Sequence, residues 1–193
     1  TVCIQTGTTT ELNLADFFRL NGISYEALPI ETNDEGKENL FAGRCDVYTT
    51  DASGLSSTRA AAADPGKWVV LPEIISKEPL GPLVRHGDHQ WGDVVRWSLN
   101  AMIIAEELGV SSENVDAQKS SNVPEVLRLL GVEGSYGEML ELAPDWAYQI
   151  IKQIGNYSES YEANVGPDTP LEIARGLNAL WTQGGILYAP PFR

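Results

Sequence analysis

The sequence has little of three things: cysteine, basic residues and long apolar stretches. Two cysteines in 193 residues are too few for a disulfide-rich scaffold or for a zinc site made of thiolates alone. No apolar run approaches the roughly 20 residues that a helix needs to cross a bilayer. Lys and Arg number 13 against 27 Asp and Glu, for a formal net charge of −14. Such a surface repels nucleic acid and anionic lipid, so no nucleic-acid partner is expected.

What remains is the composition of an ordinary globular protein. Hydrophobic residues make up 42% and charged residues 21%, which excludes disorder and low-complexity sequence. The chain opens directly on a strand-like run, residues 1–4, with no basic and apolar leader in front of it. This opening is interpreted as the mark of a fragment.

The first part of the chain alternates strand-like and helix-like segments. Strands are predicted over residues 2–6, 24–30, 47–50 and 68–71, and helices over 11–20, 34–42 and 52–63. Such alternation forms βαβ units, whose right-handed crossovers place helices on both faces of a parallel sheet. The sequence therefore predicts an α/β fold.

From residue 91 onward the pattern is helical. Helices are predicted over 91–108 and 123–130, and one apolar stripe runs from Trp146 to Tyr161. Thr169-Pro170-Leu171-Glu172 has the residues of a helix start, so a further helix is expected to about residue 182. Residues 71–88 are interpreted as a connection with one short strand over 81–85. The aromatic residues of the helical stripes are expected in the core rather than in a ligand cage: Trp91, Trp97, Trp146, Tyr157 and Trp181.

The turn after the first strand is the most informative part of the sequence. Thr8 and Glu11 fit a capping box, in which each side chain bonds to the other's backbone N–H. The turn then lies at the positive end of a helix dipole and offers backbone N–H groups, an arrangement that binds carboxylate, phosphate or sulfate. The alternative is that the threonines of this turn, Thr6, Thr8, Thr9 and Thr10, only cap the helix.

Asp51 ends the third predicted strand, as the threonine turn ends the first. Ligands of open parallel sheets bind outside the carboxyl ends of the strands. One edge of this sheet would therefore present a fixed anion and an anion receptor. Together they match a zwitterion, with an α-ammonium group on Asp51 and an α-carboxylate on the turn at residues 7–9. The alternative is that Asp51 only caps the next helix.

Other chemistry-bearing residues form no recognisable site in the sequence. His86 and His89 flank Asp88 in a polar loop, but no further ligand stands at a suitable spacing, so no metal site is expected. The sequence also lacks the motifs of a serine nucleophile, a phosphate loop and a dinucleotide site.

Cys3 and Cys45 lie at similar distances before two strand ends that adjacent parallel strands would bring close together. In an oxidising compartment they are expected to form a disulfide. The alternative is two buried free thiols.

Three stretches carry a resemblance to a known family: Gln5–Leu12, Gly43–Asp51 and Leu71–Pro82. They closely resemble the general L-amino-acid-binding proteins of bacterial ABC uptake systems, in the polar amino-acid group of solute-binding proteins. The resemblance covers nearly the whole chain, including Trp146-Ala147-Tyr148 and the Pro-rich end. It implies a periplasmic binding protein-like fold of type II, in which two α/β lobes trap an amino acid between them.

The resemblance also implies roles for individual residues. In the family a threonine of the second lobe's Gly-Thr-Thr turn binds the ligand α-carboxylate, which carries over to Thr9 with Thr8 in support. The aspartate that ends the later strand binds the α-ammonium group, which carries over to Asp51. Both roles agree with those inferred from the residues alone. No cofactor is implied.

In the family a first lobe precedes the part that this sequence resembles, and the resemblance implies that this lobe is missing here. The resemblance therefore predicts that residues 1–84 form an incomplete second lobe. Residues 85–193 would be a C-terminal helical segment that packs on the missing first lobe. Such a truncated chain would lack the arginine that clamps the ligand carboxylate, and its uncovered apolar helix faces would favour self-association.

The function that the resemblance implies is capture of L-amino acids in the periplasm of a Gram-negative bacterium and delivery to a membrane permease. The chain is then not an enzyme. Two alternatives on the same fold are a dehydratase-like periplasmic enzyme, which needs an acid–base pair in the cleft, and an amino-acid sensor domain.

Overall fold

The computed structural model divides into two compact units. The first comprises Thr1–Leu80 with Pro170–Ile173, and the second Gly81–Thr169 with Ala174–Arg193. The structure describes residues 1–77 and 79–192. Glu78, in the third stretch of the resemblance, and Arg193 lie outside the described residues. Packing of residues 85–193 on a further lobe stays a prediction.

The first unit is a three-stranded parallel sheet with helices. In chain order its elements are β1 (Val2–Gln5), α1 (Thr9–Leu20), β2 (Ala27–Ile30), α2 (Asn33–Phe41), β3 (Val47–Tyr48) and α3 (Ala52–Ala60), followed by a 3₁₀ turn (Pro65–Lys67). The strand order is β2-β1-β3, and Val2 is in register with Ala27 and Val47. The predicted α/β fold with a parallel sheet is confirmed.

The central strand β1 is buried on both faces. Val2 and Ile4 pack with Leu14 of α1, whereas Cys3 packs in a separate cluster with Leu40 of α2. Successive side chains of a strand point to opposite faces. The sheet is therefore covered by α1 on one face and by α2 on the other, as is usual for parallel sheets.

A disulfide joins Cys3 of β1 to Cys45, which lies two residues before β3, as the sequence predicted. The two Cα atoms are 5.7 Å apart across a sequence separation of 42 residues. Both side chains are buried. The bond ties the central strand of the sheet to the start of an edge strand.

Two of the predicted strands are wrong. Residues 68–71 and 81–85 contain no strand, and Val69 and Leu71 are 78% and 59% exposed. A strand must pair its N–H and C=O groups with a neighbour, and no described strand lies beside either run. An apolar, β-branched composition is therefore not sufficient to form a strand in these two runs.

The second unit is helical. Its elements are α4 (His89–Glu107), α5 (Val115–Gln118), α6 (Pro124–Leu129), α7 (Tyr136–Met139), α8 (Trp146–Ile154) and α9 (Tyr157–Asn164), with 3₁₀ turns at Gly176–Asn178 and Trp181–Gln183. The long helix α4 packs against α6, α8 and α9 around a core that includes Ile104, Leu129 and Ile151. In the described part of the chain, no helix combines the length and the apolar character needed to cross a membrane.

The aromatic residues of the second unit divide into two groups. Trp146 is buried and Trp97 and Tyr157 pack against the core, as predicted. Trp91 and Trp181 are 55% and 50% exposed, so their assignment to the core is wrong. Trp91 lies in the exposed first turn of α4 and Trp181 lies in a 3₁₀ turn, where no helical stripe turns it inward.

The apolar stripe that begins at Trp146 belongs to two helices. Gly155 ends α8 with a φ of 93°, which only glycine adopts readily. Asn156 then begins α9 through a capping box. The Asn156 side chain accepts a hydrogen bond from the backbone N–H of Glu159, and the Glu159 carboxylate accepts one from the backbone N–H of Asn156. The helix therefore ends at Gly155, although the helical spacing of apolar residues continues past that point in the sequence.

The helix predicted from Thr169 to about residue 182 is wrong. Glu172 has a φ of 51°, which an α-helix does not contain. Its carboxylate pairs with Arg59 at 2.7 Å instead of capping a helix. Arg175 likewise pairs with Glu106 at 3.1 Å. These ion pairs join residues that are far apart in sequence, so a local cap signal cannot predict them.

Glu159 also links α9 to the loop after α4. Its carboxylate accepts hydrogen bonds from the N–H and hydroxyl of Ser112 and from the N–H of Asn156. Burial raises the pKa of Glu159, but these hydrogen bonds outweigh burial and leave the pKa below its usual value. The ionised form therefore stabilises the fold at neutral pH, and this contribution is lost as the pH falls through the lowered pKa.

We expect Glu159→Gln to lower the free energy of unfolding of the second unit by about 1 kcal/mol at pH 7. The difference from the unsubstituted chain should shrink as the pH falls below about 4.3, the usual pKa of glutamate. Urea unfolding followed by tryptophan fluorescence at pH 7 and pH 3.5 measures both values. Glu162→Gln, an exposed glutamate of the same helix, is the control. A difference that is equal at the two pH values would contradict this role.

Candidate functional site

The carboxyl ends of the three strands meet at one edge of the sheet. The chain leaves β1 for β2 on one side and returns to β3 on the other side of β1. In open α/β sheets a crevice lies where the strand order reverses in this way. The threonine turn follows β1, Asn33 opens the helix after β2, and Asp51 follows β3.

The threonine turn caps α1. The Thr8 hydroxyl accepts from the N–H of Glu11 (3.3 Å) and donates to the carbonyl of Gln5 (2.7 Å). The Glu11 carboxylate accepts from the N–H of Gly7 (2.8 Å). The prediction that Glu11 bonds back to Thr8 is therefore wrong by one residue, because the loop closes earlier, at a glycine with a φ of 72°.

This cap decides which groups the turn can offer to an anion. The carboxylate of Glu11 occupies the N–H of Gly7, and the Thr8 hydroxyl bonds within the turn. The first N–H groups of a helix have no carbonyl partner inside it and point out of its end. In α1 these are the N–H groups of Thr9 and Thr10, and Thr9 is exposed.

Asp51 stands at the N-cap position of α3, but its carboxylate accepts no capping hydrogen bond from the described N–H groups of that helix. Its side chain is half-buried. An aspartate at this position usually bonds to the second or third N–H of its helix. The geometry therefore gives no support to the capping interpretation of Asp51.

One cavity of about 300 Å³ joins these groups. Thr8, Thr9 and Asp51, the three residues singled out from the sequence, all line it. Thr10 belongs to the same threonine turn. The sequence reasoning missed the other five, of which four stand at or just after a strand end and one, Leu80, does not. The residues lining the cavity are Gln5, Thr8, Thr9, Thr10, Asn33, Thr49, Thr50, Asp51 and Leu80.

Two amides at the cavity are held by the surrounding protein. Gln5 donates from Nε2 to the carbonyl of Glu31 (2.9 Å). Asn33 accepts at Oδ1 from the hydroxyl of Tyr48 (2.8 Å). A tyrosine hydroxyl is protonated at neutral pH, and burial raises the pKa of Tyr48 further, so it stays a donor. Of the described residues that line the cavity, Asp51 is the one with an ionisable side chain.

The histidine loop forms no site in the structure. His86 and His89 are exposed, and Asp88 between them caps α4 by accepting from the N–H of Trp91 (3.1 Å). Within residues 1–77 and 79–192, no three metal-ligating side chains come together.

Comparison with known proteins identifies the relatives of this chain. It is 55% identical to the glutamate/glutamine/aspartate/asparagine-binding protein BztA of Rhodobacter capsulatus and 54% identical to the general L-amino acid-binding periplasmic protein AapJ of Rhizobium johnstonii. It is 53% identical to the putative amino-acid ABC transporter-binding protein YhdW of Escherichia coli. The chain is a homologue of amino-acid-binding proteins of ABC transporters. The resemblance drawn from its motifs is confirmed.

The alignments cover 100% of this chain and 57% of each of these relatives. A scan against models of protein families finds no match.

A solved structure agrees with the fold over the whole chain. It is an ABC transporter periplasmic binding protein from Brucella ovis with glutathione bound, 50% identical, with a TM-score of 0.94. The match covers 100% of this chain and 60% of that one. The predicted periplasmic binding protein-like fold is confirmed.

Proposed function

We propose that the chain is part of the solute-binding component of a bacterial ABC uptake system. It binds L-amino acids through their α-carboxylate and α-ammonium groups and delivers them to a membrane permease in the periplasm of a Gram-negative bacterium. One observation carries the proposal. The N-terminus of α1 and the carboxylate of Asp51, groups of opposite polarity, line the same cavity at the switch point of the sheet.

The α-carboxylate is proposed to bind at the threonine turn. Thr9 offers its N–H and its hydroxyl at the positive end of α1, where an anion is stabilised by about 0.3–1 kcal/mol at an exposed site. Thr8 supports the turn, since both of its hydroxyl hydrogen bonds are made within it.

The α-ammonium group is proposed to bind Asp51. An ammonium group has three donors and needs an acceptor of opposite charge. A hydrogen bond between two charged groups is about twice as strong as a neutral one. Thr49 and Thr50, the two residues before Asp51, line the same cavity and add polar side chains to its wall.

The uptake role is favoured over the enzyme and the sensor. A dehydratase needs a general acid and a general base beside the substrate, whereas the described cavity lining contains one ionisable side chain, Asp51. The relatives are named as binding proteins of transporters, which supports uptake rather than sensing. Self-association of the chain stays a prediction, which analytical ultracentrifugation of the purified chain tests.

Glutathione in the related structure favours a second class of ligand. Its γ-glutamyl residue carries a free α-ammonium and a free α-carboxylate group, the two groups proposed to bind here. The proposed ligands therefore include γ-glutamyl peptides, whose remaining residues extend from the side-chain end.

Calorimetric titration with L-alanine, L-glutamate, L-glutamine, L-lysine and glutathione tests this function. Two proteins are compared: this chain, and a chimera that adds the part of a relative that has no counterpart here. We expect the chimera to bind several of these L-amino acids, and this chain to bind them more weakly, since a ligand held on one side stays in contact with water.

The control ligand is L-lactate, which replaces the ammonium group of L-alanine by a hydroxyl and should bind far more weakly. If neither protein binds any amino acid, the assigned ligand is wrong, and the enzyme and sensor interpretations take its place.

A further inference from the structure

Asn33 stands at the third strand end of the site, and neither the motifs nor the comparisons assign it a role. It is the first residue of α2, three positions after the end of β2 at Ile30, and it lines the same cavity as Thr9 and Asp51. Since β2 and β3 lie on opposite sides of β1, Asn33 and Asp51 flank the threonine turn from opposite sides.

The amide of Asn33 is oriented by a buried neighbour. The Tyr48 hydroxyl donates to its Oδ1 at 2.8 Å, so the polar atom that Asn33 can turn to a ligand is its amide nitrogen, with two donors. Tyr48 is only 7% exposed. It packs so closely on Gly36 that a Cβ there would lie 2.7 Å from a ring carbon.

We propose that Asn33 determines side-chain specificity by donating a hydrogen bond to an oxygen at the end of the ligand side chain. This inference rests on the proposed function. With the α-carboxylate at the end of β1 and the α-ammonium at the end of β3, the β2 end, where Asn33 lies, is the remaining strand end of the sheet, and we place the ligand side chain there. The preferred ligands are therefore L-amino acids whose side chains end in a carboxylate or a carboxamide.

The Asn33 amide is uncharged, so it can donate a hydrogen bond to a side-chain carboxylate or to a side-chain carboxamide. It loses a partner when the side chain ends in a methyl group, and a neutral hydrogen bond of this kind contributes about three- to tenfold in affinity. Lys37, the nearest basic residue along the chain, pairs with Asp34 at 3.0 Å. The donor at the β2 end is thus the amide rather than a cation.

The test compares L-glutamine, L-glutamate and L-norvaline, an apolar amino acid of similar length, in whichever of the two proteins above binds L-alanine. For Asn33→Ala we expect the preference for glutamine over norvaline to fall about three- to tenfold, with L-alanine affinity unchanged. For Asn33→Asp, charge repulsion should weaken glutamate at least tenfold more than glutamine. Tyr48→Phe, which frees the amide to turn over, should reduce the preference for glutamine in the same direction.

An equal loss for all three ligands, or no loss, while L-alanine still binds would overturn this inference and leave the proposed function standing. Failure of the unsubstituted proteins to bind any amino acid would overturn both. A loss confined to glutamine and glutamate supports Asn33 as the specificity-determining donor.

Discussion

Asp51→Ala is expected to weaken the binding of every L-amino acid by about 100-fold, or roughly 2.7 kcal/mol. The carboxylate is half-buried and makes no capping hydrogen bond to the described residues of α3, so its removal leaves the fold intact and the ligand ammonium group without its acceptor. Loss of one member of a desolvated charge pair typically costs 2–5 kcal/mol. Titration calorimetry of the protein that binds L-alanine measures the effect.

The comparison of two ligands separates this role from a general disturbance of the site. The unsubstituted protein should prefer L-alanine over L-lactate strongly, and Asp51→Ala should reduce that preference to near unity. Asp16→Ala removes an exposed aspartate of α1 that pairs with Arg19 and should leave both affinities unchanged. If Asp51→Ala weakens alanine and lactate equally, Asp51 does not bind the ammonium group.

Replacement of both Cys3 and Cys45 by Ala is expected to lower the free energy of unfolding of the first unit by about 2–4 kcal/mol. The bond closes a loop across a sequence separation of 42 residues, and loop closure restricts the unfolded chain. The two sulfur atoms also fill the core, since Cys3 is 0% and Cys45 3% exposed. The edge strand β3 pairs with β1 over only two residues, Val47 and Tyr48, so the disulfide reinforces a short ladder.

Hydrogen exchange measured by mass spectrometry locates this loss within the chain. Amides of β1, β2 and β3 should exchange faster in the double variant, whereas amides of α4 and α8 should keep their rates. Treatment of the unsubstituted chain with a reductant should give the same pattern. Equal acceleration in both units, or none in the first, would show that the disulfide does not stabilise the sheet.

Local signals in the sequence predicted much of the site. The threonines that cap α1 and the aspartate after β3 can each be recognised from residue type and position alone. Because parallel strands bind ligands at their carboxyl ends, both are expected at the same edge of the sheet. The structure confirms that they line one cavity. Their roles toward a ligand stay predictions until binding is measured.

Other parts of the site depend on contacts between residues far apart in sequence. Asn33 has no motif, and the 2.8 Å hydrogen bond that orients it comes from Tyr48, on another strand. Gln5 is likewise held by the carbonyl of Glu31. Neither partner can be chosen from local sequence, because each pairing depends on which strands lie side by side.

The sequence by itself determined the α/β class, the helix that begins at the threonine turn and the two cysteines that could meet. Each rests on propensity, spacing or a cap within a few residues. Only the tertiary structure decided whether a helix or strand forms in segments that depend on contacts with residues far away in sequence. Residues 68–71 form no strand because no described strand lies beside them. Residues 170–173 form no helix: Glu172 has a positive φ, and its carboxylate bonds to Arg59, 113 positions away. Local free-energy preferences of a few tenths of a kcal/mol per residue yield to such contacts.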